Sequence, residues 1–558
     1  MHQRIKRFRF ILPLVGLMIA CAKQGFPPGG PEDKTPPTVD RTDPAPGAVL
    51  VPAGREVRIW FSEGVKTLIS NDAVFLSPNP GEGVRMAWRG RRLTIRLPRP
   101  FQDSTTFVVT LGTGIQDIPG NAMASSFTLA FTTGDSLDRG ELHGRATVTG
   151  SALGMDVWAY RLDGAADPDP RAAEPDYAVQ CREDGTFHFS HLSPGRYRVF
   201  GVRDRAKDRL YNPVEDEIGL PFRDADLSPE NQQRDSVRFR MAREDTLGPV
   251  LVRAFAPNER EMLLQFDESV TLPPSWKNVK RFEPPDTTTL RNAFVDPADP
   301  KRICLLTETQ QPKHLYAVAL TGLTDMSGNP PDSSSSFVRI EGRAGSDTTV
   351  PRLSSVEPKN NNRFVNPSAA IRLVFNEPMD TSRTRSGTTL SDSSGMPVEC
   401  RLEWDTPSSL TLVPRMLLAS LSRYTQTVGP PACDAFGRAM QDTTIGFIVL
   451  NADTLSQVSG YALCPDDAAA GPIVVSLRQA ENPSIVYNRT LAGPGPYAFG
   501  AVLPGRYILE AYRDEDGNGR YDFGRPHPFK PSERFAVYSD TIIARSRWPN
   551  EGNDLVLP

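Results

Sequence analysis

Three times along the chain, apolar residues recur at every second position and stop at a glutamate: Val57-Arg-Ile59-Trp-Phe61-Ser-Glu63, Met262-Leu-Leu264-Gln-Phe266-Asp-Glu268 and Ile371-Arg-Leu373-Val-Phe375-Asn-Glu377. A period of two marks a strand with one face buried, so each stretch reads as a half-buried β-strand ending in an acidic turn. A second alternating strand follows each, at Phe107-Val109-Leu111, Tyr316-Val318-Leu320 and Tyr424-Gln426-Val428, and Asp117, Asp325 or Asp434 comes five or six residues later. Repetition on this scale predicts three copies of one β domain, over residues 38–134, 247–342 and 349–451. The recurring Glu and Asp invite a paired-carboxylate reading. Their presence in every copy instead favours turn capping and loop hydrogen bonds that the fold itself needs.

A different repeat fills the intervals. The separation from Gly144 to Val157 matches that from Gly460 to Ile473. Phe187-His-Phe189 corresponds to Tyr497-Ala-Phe499, seven residues before Pro194-Gly-Arg-Tyr197 and Pro504-Gly-Arg-Tyr507, and an Asp follows ten residues after each Pro, at 204 and 514. These copies span residues 139–243 and 455–558. A chain of 558 residues exceeds what one hydrophobic core holds, and five units of about a hundred residues suit small sandwiches. The expected fold is therefore all-β, a string of five small β-sandwich domains. With 43 Gly and 52 Pro, short turns should join the strands and the molecule should be elongated.

The first repeat resembles the bacterial Ig-like domain associated with surface-layer proteins, through Pro36-Pro37, Phe61-Ser62-Glu63, Trp88 with Leu93, and Asp117 to Asn121. The second copy has no corresponding Trp, and the third reads Asp434-Ala-Phe-Gly437-Arg in place of the final Asn. The other repeat, with a Pro-Gly-x-Tyr turn between alternating strands, resembles the prealbumin-like sandwich of carboxypeptidase regulatory domains. Trp88 and Trp404 recur at matching places, which marks them as packing elements. Trp60, Trp158, Trp276 and Trp548 stay open as a ligand platform.

At the N-terminus, Arg4, Lys6, Arg7 and Arg9 precede the apolar run Ile11 to Ala20. That is a charged region and a short apolar core of the secretory-signal kind, too short to span a bilayer. The run ends Leu17-Met18-Ile19-Ala20-Cys21, which resembles the lipobox of bacterial lipoproteins. The resemblance implies cleavage after residue 20 and diacylglyceryl transfer and N-acylation at Cys21. An ordinary signal peptide with a free Cys is the other reading. Residues 21–37 form a Pro/Gly-rich tether, able to reach roughly 50 Å as extended chain. Ala22 and Lys23 follow the Cys, which by resemblance to other lipoproteins points to the outer membrane, with the leaflet open. Membrane contact would be through the N-terminal lipid alone.

Net charge is −4, and −8 after residue 20, so no basic field attracts nucleic acid. The sequence contains no P-loop, H-E-x-x-H or G-x-S-x-G motif. His188 and His191 stand three apart, on opposite faces of a strand, and are not expected to share a metal. Cys181, Cys304, Cys400, Cys433 and Cys464 form no C-x-x-C pair. They read as small buried hydrophobes, with a Cys400–Cys433 disulfide as the alternative.

One segment has the chemistry of a cation loop. In residues 514–522, Asp514, Asp516, Asn518 and Asp522 fall at positions 1, 3, 5 and 9 of a calcium loop, with the Arg520 carbonyl at 7 and Gly519 at the sharp turn. Arg525 occupies position 12, where a bidentate Glu is expected, so a further ligand must come from elsewhere. The earlier copy offers Asp204, Asp208, Asn212 and Glu215, but Ala206 and Arg209 at positions 3 and 6. The competing reading is a polar hairpin loop. Together these features predict a non-enzymatic, lipid-anchored envelope protein with a structural, adhesion or assembly role. The alternatives are an accessory lipoprotein that binds a glycan, a peptide or an envelope protein and, third, a hydrolase.

Overall fold

The computed structural model describes residues 33–67, 73–81, 83–148, 150–162, 167–273, 290–332, 337–465 and 470–558. Cys21, the signal region and Trp276 lie outside them. The strands are where alternation placed them. In Glu56–Phe61 every second side chain is buried, and Val57, Ile59 and Phe61 are wholly enclosed. This strand lies between Val39–Asp43 and Arg92–Arg96, with Arg85–Arg89 at the edge. A three-stranded sheet of Val74–Ser77, Thr106–Leu111 and Phe127–Thr132 supplies the other layer.

The same order recurs in Leu353–Glu357, Ile371–Phe375, Ser409–Pro414 and Cys400–Thr406, and in Leu251–Asn258, Glu261–Phe266, Arg302–Thr307 and Leu290–Val295. Trp88 stacks on Phe61 at 6.0 Å and Trp404 on Phe375 at 6.2 Å. Both are thus equivalent packing elements. Among the described residues the α-helix is Thr381–Ser386, capped by the Asp380 carboxylate.

The two remaining sandwiches share a second plan. In one, Tyr177–Gln180, Asp156–Arg161, Gly195–Arg203 and Glu217–Gly219 form the larger sheet, and Thr186–Leu192, Gly140–Thr147 and Gln233–Arg240 the smaller. In the other, Val486–Leu491, Ile473–Gln479, Gly505–Arg513 and Phe535–Val537 face a sheet built on Ser456–Leu463. In both, the closing segment runs parallel to the first strand. Gly144 and Gly460 are demanded by close approach. A Cβ at Gly144 would lie 2.2 Å from the Phe187 ring, and one at Gly460 would lie 2.3 Å from the Asn553 carbonyl oxygen. Tyr197 and Tyr507 pin the Pro-Gly-Arg turns alike, each hydroxyl donating over 2.8 Å to the carbonyl four residues earlier.

The string is not extended throughout. The larger sheet of the second sandwich is apolar on both faces. Its outer face carries Trp158, Tyr160, Phe200, Val202 and Ile218, joined by Tyr211 and Leu220 and, from the fifth sandwich, by Phe529. Across this contact the Ser532 hydroxyl donates to the Leu220 carbonyl over 2.8 Å, 312 residues away in sequence. The Arg198 guanidinium lies 3.6 Å above the Phe529 ring, and Arg240 bonds Glu510 at 2.8 Å. The first sandwich meets the second through Ser77, whose hydroxyl donates to the Asp176 carbonyl, and through Thr113, whose backbone N–H and hydroxyl both reach Gln180 Oε1. None of the five described cysteines forms a disulfide, Cys400 and Cys433 included.

Arg198 and its partner Asp224, 2.9 Å apart, have side chains only 9% and 4% exposed. Breaking such a pair leaves an uncompensated buried charge. Arg196 also lies 3.0 Å from Asp224, so the Arg198→Ala loss should sit at the low end of that range, about 3 kcal/mol. With Arg240→Ala added, the contact between the second and fifth sandwiches should loosen. Small-angle scattering should then show a larger maximum dimension, whereas an unchanged profile would remove this contact from solution.

Candidate functional site

Strand Gly505–Arg513 delivers the acidic loop, and strand Phe535–Val537 closes it. Their antiparallel register pairs Tyr512 with Phe535. Continued for two places, that register sets Asp514 opposite Glu533. Both are almost fully enclosed, at 3% and 5% exposure. Ligand oxygens of Asp514, Asp516 and Glu533 all lie within 4.8 Å of one another. The missing ligand therefore comes from the return strand and not from position 12.

The loop's own bonds hold this arrangement. Asp514 accepts the Asn518 N–H at 3.0 Å and the Gly519 N–H at 2.9 Å. Gly517 and Gly519 have φ of +75° and +76°, the left-handed conformation that glycine adopts without strain. Asn518 Nδ2 donates to Asp516 at 3.0 Å, and the Arg520 N–H donates to Asn518 Oδ1 at 2.8 Å. Asp522 stands one step out, bound by Lys530 at 2.7 Å. The Arg520 side chain reaches Met326. Of the loop residues, then, Asp514 and Asp516 converge, Asn518 and Arg520 shape the turn, and Asp522 pairs with a lysine.

Glu533 accepts the Glu515 N–H at 2.8 Å and the Asp522 N–H at 3.1 Å. Burial pushes its carboxyl up to about 7, and Asp522 and Asp514 add to the rise. A buried carboxyl beside two others gains from a proton or from a cation of hard-oxygen preference.

The earlier copy has the same scaffold without the cluster. Gly201 pairs with Gly219 and Arg203 with Glu217, so Asp216 takes the place of Glu533, accepting the Arg205 and Asn212 N–H groups. Asp204 accepts the Lys207 and Arg209 N–H groups. Arg209 turns to the first sandwich, where its guanidinium lies 4.9 Å over Phe75 and bonds the Val74 carbonyl. With Ala206 at position 3, this copy is a docking loop. Neither Glu533 nor Asp216 is marked by loop spacing. The signal available for them was an acid one or two residues before a short strand in both copies.

Turn capping accounts for only half of the repeated Glu and Asp in the first, third and fourth sandwiches. Asp117 accepts from the Gly120 and Asn121 N–H groups and from Asn121 Nδ2, and Asp325 does the same with Ser327 and Asn329. The glutamates are not caps. Glu63 lies with Asp33 and Asp117, and Glu268 with Asp245 and Asp325, each trio having ligand oxygens within 4.8 Å. Both glutamates are raised, by burial first and then by those neighbours. In the third copy Arg438 replaces the Asn and bonds the Asp347 and Thr348 carbonyls instead, leaving the buried Asp434 Oδ2 without a partner. Where the second and third copies meet, Glu261, Asp296 and Arg302 of the second line a cleft of about 290 Å³ with Asp347 and Glu377. Burial pushes Glu261 to about 7 and Glu377 to about 8.

The aromatic candidates do not gather. Trp158 is buried, Trp548 is 72% exposed, and Arg41 lies 4.1 Å over Trp60. His191 Nδ1 lies 3.0 Å from the Asp138 carbonyl oxygen, and the register of its strand shifts between Phe189 and Leu192, so the strict alternation that set His188 and His191 on opposite faces does not carry through to His191.

The Glu533 carboxyl titrates with a definite sign. Its folded value, about 7, exceeds the ordinary 4.5, so the native state holds the extra proton. The associated stability is fully present below about pH 4.5 and is lost as pH rises through 7, amounting to about 3 kcal/mol at most. In metal-free buffer Glu533→Gln should flatten this part of the stability profile between pH 5 and 8. Parallel profiles for parent and variant would contradict the burial argument.

Residues 33–133 and 347–448 match the family described as the bacterial Ig-like domain. No curated protein matches the chain. Among solved structures, the N-terminal part of the bacterial S-layer protein SbsC is 12% identical, covering 31% of this chain and 43% of its own, with a TM-score of 0.17. A fragment of titin is 11% identical over 49% of this chain and 94% of its own, at 0.16. An L,D-transpeptidase from Mycobacterium smegmatis is 10% identical over 38% of this chain and 90% of its own, at 0.17. The chain thus carries bacterial Ig-like domains in two regions within an all-β string of sandwiches.

Proposed function

We propose that the protein is a non-enzymatic, lipid-anchored structural protein of the bacterial envelope, tethered at Cys21 to the outer membrane. In this reading five sandwiches follow the boundaries 38–134, 139–243, 247–342, 349–451 and 455–558, the second and fifth being prealbumin-like. The observation that carries the proposal is the placement of arginine between sandwiches. Arg198, Arg209 and Arg240 serve contacts between sandwiches, which suits a chain whose task is to hold modules in place. The scattered indoles give little support to a glycan platform, and the envelope partner would be a protein surface. Metabolic labelling with a fatty-acid analogue tests the anchor. The parent should take up label and fractionate with membranes, whereas Cys21→Ser should do neither; equal labelling of the two would sink the assignment.

Within this reading residues 514–522 hold calcium, with Asp514, Asp516 and Glu533 as the carboxylate ligands and Asp522 joining once released by Lys530. A competing lysine and no position-12 Glu place the affinity at about 10⁻⁴ to 10⁻³ M, the range of extracellular modules. At 100 times the dissociation constant, linkage adds about 2.7 kcal/mol of stability. The full-length chain should therefore melt higher in calcium than in chelator, and the increment should vanish in Asp514→Ala plus Asp516→Ala. Equal midpoints for the parent would leave the loop as a turn only.

A further inference from the structure

The solvent-facing side of the smaller sheet in the second sandwich carries a cluster that nothing above employs. His188, on Thr186–Leu192, is directly opposite His143, on Gly140–Thr147. Their rings stack at 4.1 Å between centroids and 10° between planes. Glu141 stands two residues before His143 and so shares its face. Its Oε2 lies 3.2 Å from His143 Nε2 and 3.8 Å from His188 Nε2. Two imidazole nitrogens and one carboxylate oxygen thus converge from adjacent strands, and the three ligand atoms lie within 4.8 Å of one another.

We propose that Glu141, His143 and His188 form a surface site for a late first-row divalent metal, of which zinc is the physiological candidate. The spacing suits the chemistry. Bonds of about 2.0–2.2 Å arranged tetrahedrally put neighbouring ligand atoms about 3.3–3.6 Å apart, and the carboxylate oxygen stands just inside that separation from one nitrogen, at 3.2 Å, and just outside it from the other, at 3.8 Å. The donor set, two imidazoles and a carboxylate, selects zinc, nickel or copper over calcium or magnesium. It also differs in kind from the all-oxygen loop at residues 514–522.

The support around the ligands is in place. Gln233, paired in register with Glu141 from the third strand, donates its Nε2 to Glu141 Oε2 over 2.8 Å and orients the carboxylate, as outer partners of metal ligands do. Beneath the site Phe187 and Phe189 are buried on the opposite face and fix the strand that carries His188. The ligand side chains are only partly exposed, at 32% for Glu141, 39% for His143 and 41% for His188. Three protein ligands leave a fourth position toward solvent, where water or a side chain from a partner completes the tetrahedron.

The test uses the full-length chain, stripped with chelator and titrated with zinc chloride in a calorimeter. One equivalent should bind with a dissociation constant in the micromolar range, and His143→Ala or His188→Ala should each weaken it at least tenfold. Glu141→Gln should weaken it less. Cobalt added to the stripped protein should give the visible absorption of a tetrahedral centre, which the double histidine variant should lack. Thermal melting of each variant without metal should match the parent, because these side chains lie on the solvent-facing side of the sheet. Absence of zinc binding, or binding of the same affinity and stoichiometry in the double variant, would overturn the proposal. Neither outcome touches the calcium loop or the lipid anchor.

Discussion

A sheet that is apolar on both faces cannot end at water, and the larger sheet of the second sandwich is such a sheet. In Asp156–Arg161 four consecutive residues are buried, and in Gly195–Arg203 six are. One set packs inward with Phe187, Phe189 and Phe239; the other, led by Trp158 and Phe200, faces outward. Covering that outer face recruits Tyr211 and Leu220 from the sandwich's own loops and Phe529 from the far end of the chain. The rest of the arrangement follows from this burial, since the hydrophobic gain on closing it is proportional to apolar area removed from water.

Charge is organised around the same contacts. Arg198 sits between Asp224 and the Phe529 ring, and Arg209 leaves its own loop to bond the first sandwich. Because guanidinium is planar and weakly hydrated, it suits places that are half aromatic and half polar. The two acidic loops diverge for this reason. The copy at 204–216 is drawn into docking by Arg209, while the copy at 514–522, with Gly519 at the equivalent turn, keeps its carboxylates facing one another.

The carboxylates show how far repetition can be read. Repeated Glu and Asp suggested a single cause, yet the Asp residues accept backbone N–H groups and the Glu residues do not. An Asp in a tight turn is served by donors two to four residues away, so its role is local and visible in the motif. Glu63, Glu268 and Glu377 meet their neighbours only after strand ends from distant segments have come together.

Alternation and recurrence determined the class of this protein. Val57, Ile59 and Phe61 alternate because one side of a strand is dry, and that is a property of consecutive residues. The calcium-like spacing of Asp514, Asp516 and Asn518 and the packing role of Trp88 and Trp404 were legible on the same ground. Tertiary structure alone decided which residues meet across strands and across sandwiches. Glu533 joins Asp514 through the register of two strands, His188 meets His143 rather than His191, and Phe529 finds Phe200 over more than three hundred residues. Register and docking depend on the sum of many distant contacts, whereas periodicity is set within a few consecutive residues.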